Sequence, residues 1–135
     1  MTMEEKNPAP AGPKGELALR TLAMPANTNP SGDIFGGWVM SLMDLAAGLA
    51  ASEHANGRVV TAAVSRLNFL APVKVGDAVC CYASLTRVGR TSMVFDIETW
   101  TLPQRRRGER LKVTEAEFTM VAVDEEGRPR VLGER

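Results

Sequence analysis

Residues Asn27 to Ser52 read NTNPSGDIFGGWVMSLMDLAAGLAAS, a glycine-rich turn running straight into a helix of unusually small residues. Asn27, Asn29, Pro30, Ser31 and Gly32 favour tight, capped backbone over a regular element. From Trp38 onward, Trp38, Leu42, Leu45 and Leu49, joined by Val39, Ala46 and Ala50, recur at helix spacing and predict a broad buried face. Asp44 interrupts that apolar run. It shares a face with Gly37, Met40, Ser41 and Gly48, at spacings of three, four and seven, so its surroundings are mostly small side chains that let another backbone or a thin ligand approach. A solvated helix face would more usually carry Lys, Glu or Gln there.

Outward from this segment the chain reads as strands. Glu16 to Met24 alternates well enough for a first strand ended by Pro25, and Arg58 to Leu70 forms a second. The apolar phase of the second strand switches between Val64 and Leu67, which predicts a bulge near Ser65 and Arg66. Ala78 to Val88 and Thr91 to Leu102 read as an antiparallel hairpin turned at Gly89 and Arg90, in a type I′-like geometry. Lys112 to Asp124 is the last strand, with Ala116, Phe118, Met120 and Ala122 inward, after a polar loop from Pro103 to Arg110 that holds Arg105, Arg106 and Arg107. Gly57 is the expected left-handed cap of the helix. His54 reads as a surface residue of its last turn. The order strand, helix, four strands is an α+β architecture: one long central helix wrapped by a curved antiparallel sheet of about five strands. Such a sheet leaves edges exposed, and pairing with a second copy hides them.

The 135 residues suit one domain, expected over 15–135 and preceded by a solvated, proline-containing tail over 1–14. Sixteen basic residues balance sixteen acidic ones, so no general electrostatic attraction to nucleic acid or membrane surfaces is expected. No apolar run approaches the roughly 20 residues of a bilayer crossing, and the N-terminus has no signal segment. A cytoplasmic location is the reading. Cys80 and Cys81 are adjacent and should face opposite sides of a strand, as core or half-core residues with no zinc or redox signature. No metal and no cofactor are expected.

The segment GDIFGGWVMSLMD at Gly32 to Asp44 closely resembles the hallmark of the hotdog-fold acyl-CoA thioesterases, especially the short bacterial YciA-like enzymes. LALRTLAMP from Leu17, GRVVT from Gly57, NFLAPVKVGD from Asn68, VCCY from Val79, VGRTS from Val88 and TEAEFTMVAVD from Thr114 resemble that family in the same order, covering about residues 16 to 132. The resemblance implies hydrolysis of acyl-CoA thioesters to free acid and coenzyme A. It also implies a homodimer with two composite sites at its interface, assembling further as trimers of dimers, a hexamer. Carried over onto this chain, it makes Asp44 the catalytic carboxylate, Asp33 a contributor from the opposite protomer, and Gly36 and Gly37 the donors to the thioester carbonyl. It places Gly89, Arg90, Thr91 and Ser92 near the nucleotide, with Arg58 and Arg66 as further cations for coenzyme A. After Asp44 the chain has Leu45, Ala46, Ala47 and Gly48 where relatives tend to have a glycine pair, which leaves chain-length preference open.

The residues themselves agree with that assignment. There is no GxSxG elbow, no HExxH and no cysteine paired with a histidine, so a carboxylate must activate water or attack directly. Thioester hydrolysis builds negative charge on the carbonyl oxygen, and bare N–H groups at a glycine-lined helix start can hold it. Competing structural readings exist for each residue: close packing for Gly36 and Gly37, a helix N-cap for Asp33, a plain exposed position for Asp44 and an ordinary hairpin turn for Gly89 and Arg90. The rival function is a non-catalytic module that binds acyl-CoA or a nucleotide. A hotdog dehydratase would want a histidine in the turn, where this chain has Ile34, Phe35 and Gly36.

Overall fold

The computed structural model describes residues 12–102 and 109–133. Strands β1 (Glu16–Leu22), β2 (Val59–Phe69), β3 (Ala78–Val88), β4 (Ser92–Leu102) and β5 (Leu111–Ala122) form one antiparallel sheet in the order β1-β3-β4-β5-β2. Helix α1 (Gly36–Ala55) lies on its inner face and touches all five strands. That is the expected central helix wrapped by a sheet. No helix among the described residues is long and apolar enough to cross a membrane. The Arg105 to Arg107 loop and most of the expected tail lie outside the described residues.

The strands alternate as half-buried strands must. On β4, Met93, Phe95 and Ile97 point into the core while Asp96 and Glu98 point outward, and on β5 Ala116, Phe118, Met120 and Ala122 face inward. Cys80 and Cys81 are both buried, and burial pushes the Cys81 thiol up to about 11, which leaves it unreactive near neutrality. The bulge in β2 is present: the register slips between Ser65 and Asn68, and Arg66 adopts φ 57°, a left-handed conformation uncommon for a residue with a side chain.

Three expectations need correction. The buried stripe of α1 is Val39, Met43, Ala46, Ala47, Ala51 and Ala55, with Trp38, Leu42 and Ala50 packed at its margins. Leu45 and Leu49 are 55% and 49% exposed in the protomer, so the predicted face was rotated. The helix is apolar nearly all round, and the sheet selects the small side because alanines let the two backbones approach. Second, the left-handed cap is Asn56 (φ 56°, ψ 49°), whose N–H donates to the Ser52 carbonyl; asparagine is the other residue that tolerates this conformation. Third, the hairpin turn spans Gly89 to Thr91 with no positive φ, so it is not of the primed type; the Gly89 N–H closes it on the Ser92 carbonyl at 2.8 Å.

Both outermost strands have an open edge, and the two edges differ. Along β2 nearly every residue is exposed, including Val60 and Val64, and Phe69 and Leu70 continue the apolar surface. An edge of this length and character is a pairing surface. Seating of α1 on the sheet gives a direct test. Ala47→Leu should lower the unfolding free energy in urea by about 1–3 kcal/mol through overpacking, and a change below about 0.5 kcal/mol would contradict the close approach.

Candidate active site

The turn before α1 is built from its own side chains. Asn29 Oδ1 accepts the N–H groups of Ser31 (2.9 Å) and Asp33 (3.2 Å), and the Asn29 N–H donates to the Asp33 carbonyl at 2.7 Å. Ile34 is pinned to the Val73 carbonyl (3.1 Å) and Phe35 to the Asn27 carbonyl (2.7 Å). The chain therefore enters the helix at a fixed angle. Phe35 is the N-cap residue, and no side chain caps the helix. Asp33 is thus not the N-cap, contrary to one reading of the sequence. Its carboxylate instead accepts from Lys74 Nζ at 2.6 Å, a solvent-exposed ion pair worth at most about 1 kcal/mol.

Trp38 and Val39 donate to the Phe35 carbonyl, which leaves the N–H groups of Gly36 and Gly37 without an acceptor among the described residues. Packing does not demand glycine at position 36. A methyl there would meet the Phe69 ring at 3.4 Å, an ordinary contact, and one at Gly37 would only displace the exposed ring of Phe35. What the pair provides is bare backbone at the positive end of a twenty-residue helix. Cavities of about 310 and 380 Å³ flank it, one reaching toward Phe69 and Thr114, the other toward Asn27 and Trp38.

Asp44 is exposed on the side of α1 that overhangs β2. Thr61 Oγ1 donates to Asp44 Oδ1 at 2.5 Å, which fixes the carboxylate and leaves its second oxygen open at the free edge of the sheet. Met40 and Leu45 flank it and are also exposed. Asp44 lies seven to eight residues beyond the glycines, so the two groups are separated by about 10–12 Å along the axis. The glycine N–H groups also point away from Asp44. One thioester carbon cannot touch both within a single protomer.

The remaining candidates fall into two places. Gly89, Arg90, Thr91 and Ser92 sit at the β3–β4 turn, tied to the C-terminal segment by the bonds Leu132 N–H to Arg90 carbonyl and Ala122 N–H to Thr91 carbonyl, both 2.9 Å. The Arg90 side chain pairs with nothing among the described residues. Arg58 lies at the same end of the molecule, but its guanidinium is engaged by the Asp124 and Glu125 carbonyls at 3.2 and 3.0 Å. Arg66 stands apart on the outer face of the sheet, among Asp96, Glu98, Glu115 and Glu117. A separate concavity of about 760 Å³ runs along the β1 side of α1 past Leu49, Glu53 and His54 and contains none of the ten candidates. Thr61 and Lys74 went unseen in the sequence. Both lie inside segments that carry the family resemblance, GRVVT and NFLAPVKVGD, but no spacing pairs them with a carboxylate; the fold carries them to Asp44 and Asp33 across separations of 17 and 41 residues.

The sequence model of the thioesterase superfamily matches residues 31–107. The acyl-CoA thioester hydrolase YciA of Escherichia coli is 55% identical over 122 residues, spanning 89% of this chain and 92% of that protein. Among solved structures, the hexameric thioesterase of Yersinia pestis is 54% identical, with a TM-score of 0.84 over 91% of this chain and 99% of that one. A hexameric broad-specificity acyl-coenzyme A thioesterase, determined as an aspartate-to-alanine mutant, is 50% identical, with a TM-score of 0.87 over 90% of this chain and 89% of that one. A turn ending in bare glycine amides, a carboxylate on the helix it opens and likeness along nearly the full length agree: the chain belongs to the thioesterase superfamily, among the hotdog-fold acyl-CoA thioester hydrolases.

Proposed function

We propose that this protein hydrolyses acyl-CoA thioesters to a free acid and coenzyme A, at composite sites between protomers of a homodimer that assembles further to a hexamer. The observation that carries the reading is the placement of Asp44: a carboxylate held by Thr61 at an open sheet edge, too far from the glycine amides of its own chain to share a substrate with them. A two-fold partner supplies the missing half. Exposed Met40 and Leu45 beside it, with Val60, Val64 and Phe69 along β2, are the apolar surface such a partner would cover. The names and assemblies of the relatives support the same reading.

In this site the thioester carbonyl oxygen accepts from the N–H groups of Gly36 and Gly37 of one protomer. A water on the other side of the carbonyl carbon gives its proton to the free oxygen of Asp44 from the other protomer as its own oxygen bonds to carbon. The tetrahedral intermediate collapses with loss of the C–S bond, and the proton on Asp44 passes to the departing thiolate. The products are the acid and coenzyme A. No cofactor enters, since coenzyme A is part of the substrate. Asp33, oriented by Lys74, completes the polar rim of the site. Arg90 is the cation best placed to meet a phosphate, with the donors of Gly89, Thr91 and Ser92 beside it. Arg58 and Arg66 are weaker candidates on geometry, the first because its guanidinium braces a turn and the second because acidic side chains surround it.

Asp44→Asn keeps size and removes the base. In a thiol-release assay over CoA esters from acetyl to palmitoyl, kcat should fall by on the order of 10²-fold or more, with folding and coenzyme A binding retained. Asp33→Asn should be milder, because an amide can still accept from Lys74. Full activity in Asp44→Asn would remove the mechanism, and a wild type that binds the esters without turnover would favour a binding module. Arg90→Ala should raise KM and spare kcat, since a phosphate contact is made equally in the ground and transition states. The converse, lower kcat at unchanged KM, would place Arg90 elsewhere.

A further inference from the structure

The 310 Å³ cavity beside the glycine pair has walls of Ile34, Val39, Phe69, Pro72 and other apolar groups, with one exception. Thr114 stands at its wall, 1% exposed, and its Oγ1 is the one buried side-chain polar atom among the described residues with no hydrogen-bond partner. Buried hydroxyls are nearly always paired, so an orphan beside a cavity marks a place where a partner arrives from outside. The register sets how near it stands to the reacting end. Thr114 lies directly opposite Phe69, and the Phe69 ring reaches within 3.4 Å of the point a Gly36 Cβ would occupy. Opposed residues have Cα atoms about 5 Å apart, so Thr114 and Gly36 are both neighbours of Phe69 and line the same cavity.

We propose that this cavity receives the acyl end of the thioester and that Thr114 is a specificity-determining residue for acyl groups bearing an oxygen on the third carbon, the 3-oxo and 3-hydroxyacyl esters. The inference rests on the thioesterase reading and deepens it. At about 30 Å³ for each water-sized group, the cavity holds on the order of ten non-hydrogen atoms, which suits short and medium acyl chains. With the carbonyl at the Gly36 amide, the third carbon lies two bonds further in, toward Thr114. A threonine hydroxyl donates to a 3-oxo group and accepts from a 3-hydroxyl. A saturated chain would leave it unpaired, and sites built to bond a polar group disfavour analogues that lack it.

The test compares 3-oxobutanoyl-CoA with butanoyl-CoA, esters of equal chain length, on the full-length wild type and on Thr114→Val, which keeps the shape and removes the hydroxyl. The ratio of kcat/KM for the oxygenated over the saturated ester should fall about tenfold in Thr114→Val, with the butanoyl ester retained or improved, and Thr114→Ser should restore the ratio. The melting temperature of Thr114→Val should stay the same or rise, because the free protein loses no bond. An unchanged ratio overturns the proposal, and so does a Thr114→Val that melts several degrees lower or fails to fold, since the hydroxyl would then already be satisfied. Turnover of butanoyl-CoA by wild type with an unchanged ratio sinks the pocket assignment alone. No coenzyme A released from either ester would remove the thioesterase reading beneath it.

Discussion

The seating of one helix on alanine governs this molecule. Ala46, Ala47, Ala51 and Ala55 are all buried against the sheet, and side chains of one carbon allow the helix to lie close enough to touch all five strands. Val39 and Met43 are the larger residues that share this buried side, while Met40, Leu45 and Leu49 lie elsewhere. Leu45 and Met40 face outward over β2, and Asp44 stands between them at the sheet edge. Rotation of the helix therefore fixes both the carboxylate and the surface a partner must cover. An apolar stripe of leucines buried in place of the alanines would have turned Asp44 to another side.

That rotation is also where sequence reading fell short. Strand positions were legible because period-two alternation on β4 and β5 leaves one reading for each residue, and the phase slip at Ser65 and Arg66 announced its bulge. On α1 nearly every side is apolar, so periodicity carried little rotational information, and the larger residues Leu45 and Leu49 were the natural but mistaken choice for the core. Asn56 took the left-handed position beside Gly57 because asparagine and glycine both suit it, and spacing alone does not decide between neighbours. The site divided the same way. Asp44 and the glycine pair showed in the sequence because an acid inside an apolar run and two adjacent glycines contradict their surroundings. Thr61, Lys74 and Thr114 did not, since each is an ordinary residue for its element and gains meaning only from what the fold sets beside it.

Geometry then constrains chemistry. An α-helix is a rigid ruler, and on it the amides of Gly36 and Gly37 and the carboxylate of Asp44 stand about 10–12 Å apart, with the amides aimed away. Electrostatic stabilisation of an oxyanion and removal of a proton from water must occur around one carbon atom, within hydrogen-bond distance of both groups. The composite sites proposed between two protomers would satisfy this without bending the helix, and they would make assembly and activity a single property.

Mixing two inactive variants tests that claim most directly. Asp44→Asn removes the carboxylate, and Gly36→Pro removes an amide donor at the first helical position, where proline is tolerated and where Phe35 already has φ −63° and ψ 129°, compatible with a following proline. Each homo-oligomer should be nearly inactive. If the two groups act from different protomers, unfolding the variants together and refolding them restores one intact site in each mixed dimer, and activity should return to about a quarter of wild type. If both groups act within one chain, every site in the mixture carries a lesion and the mixture stays as inactive as its components.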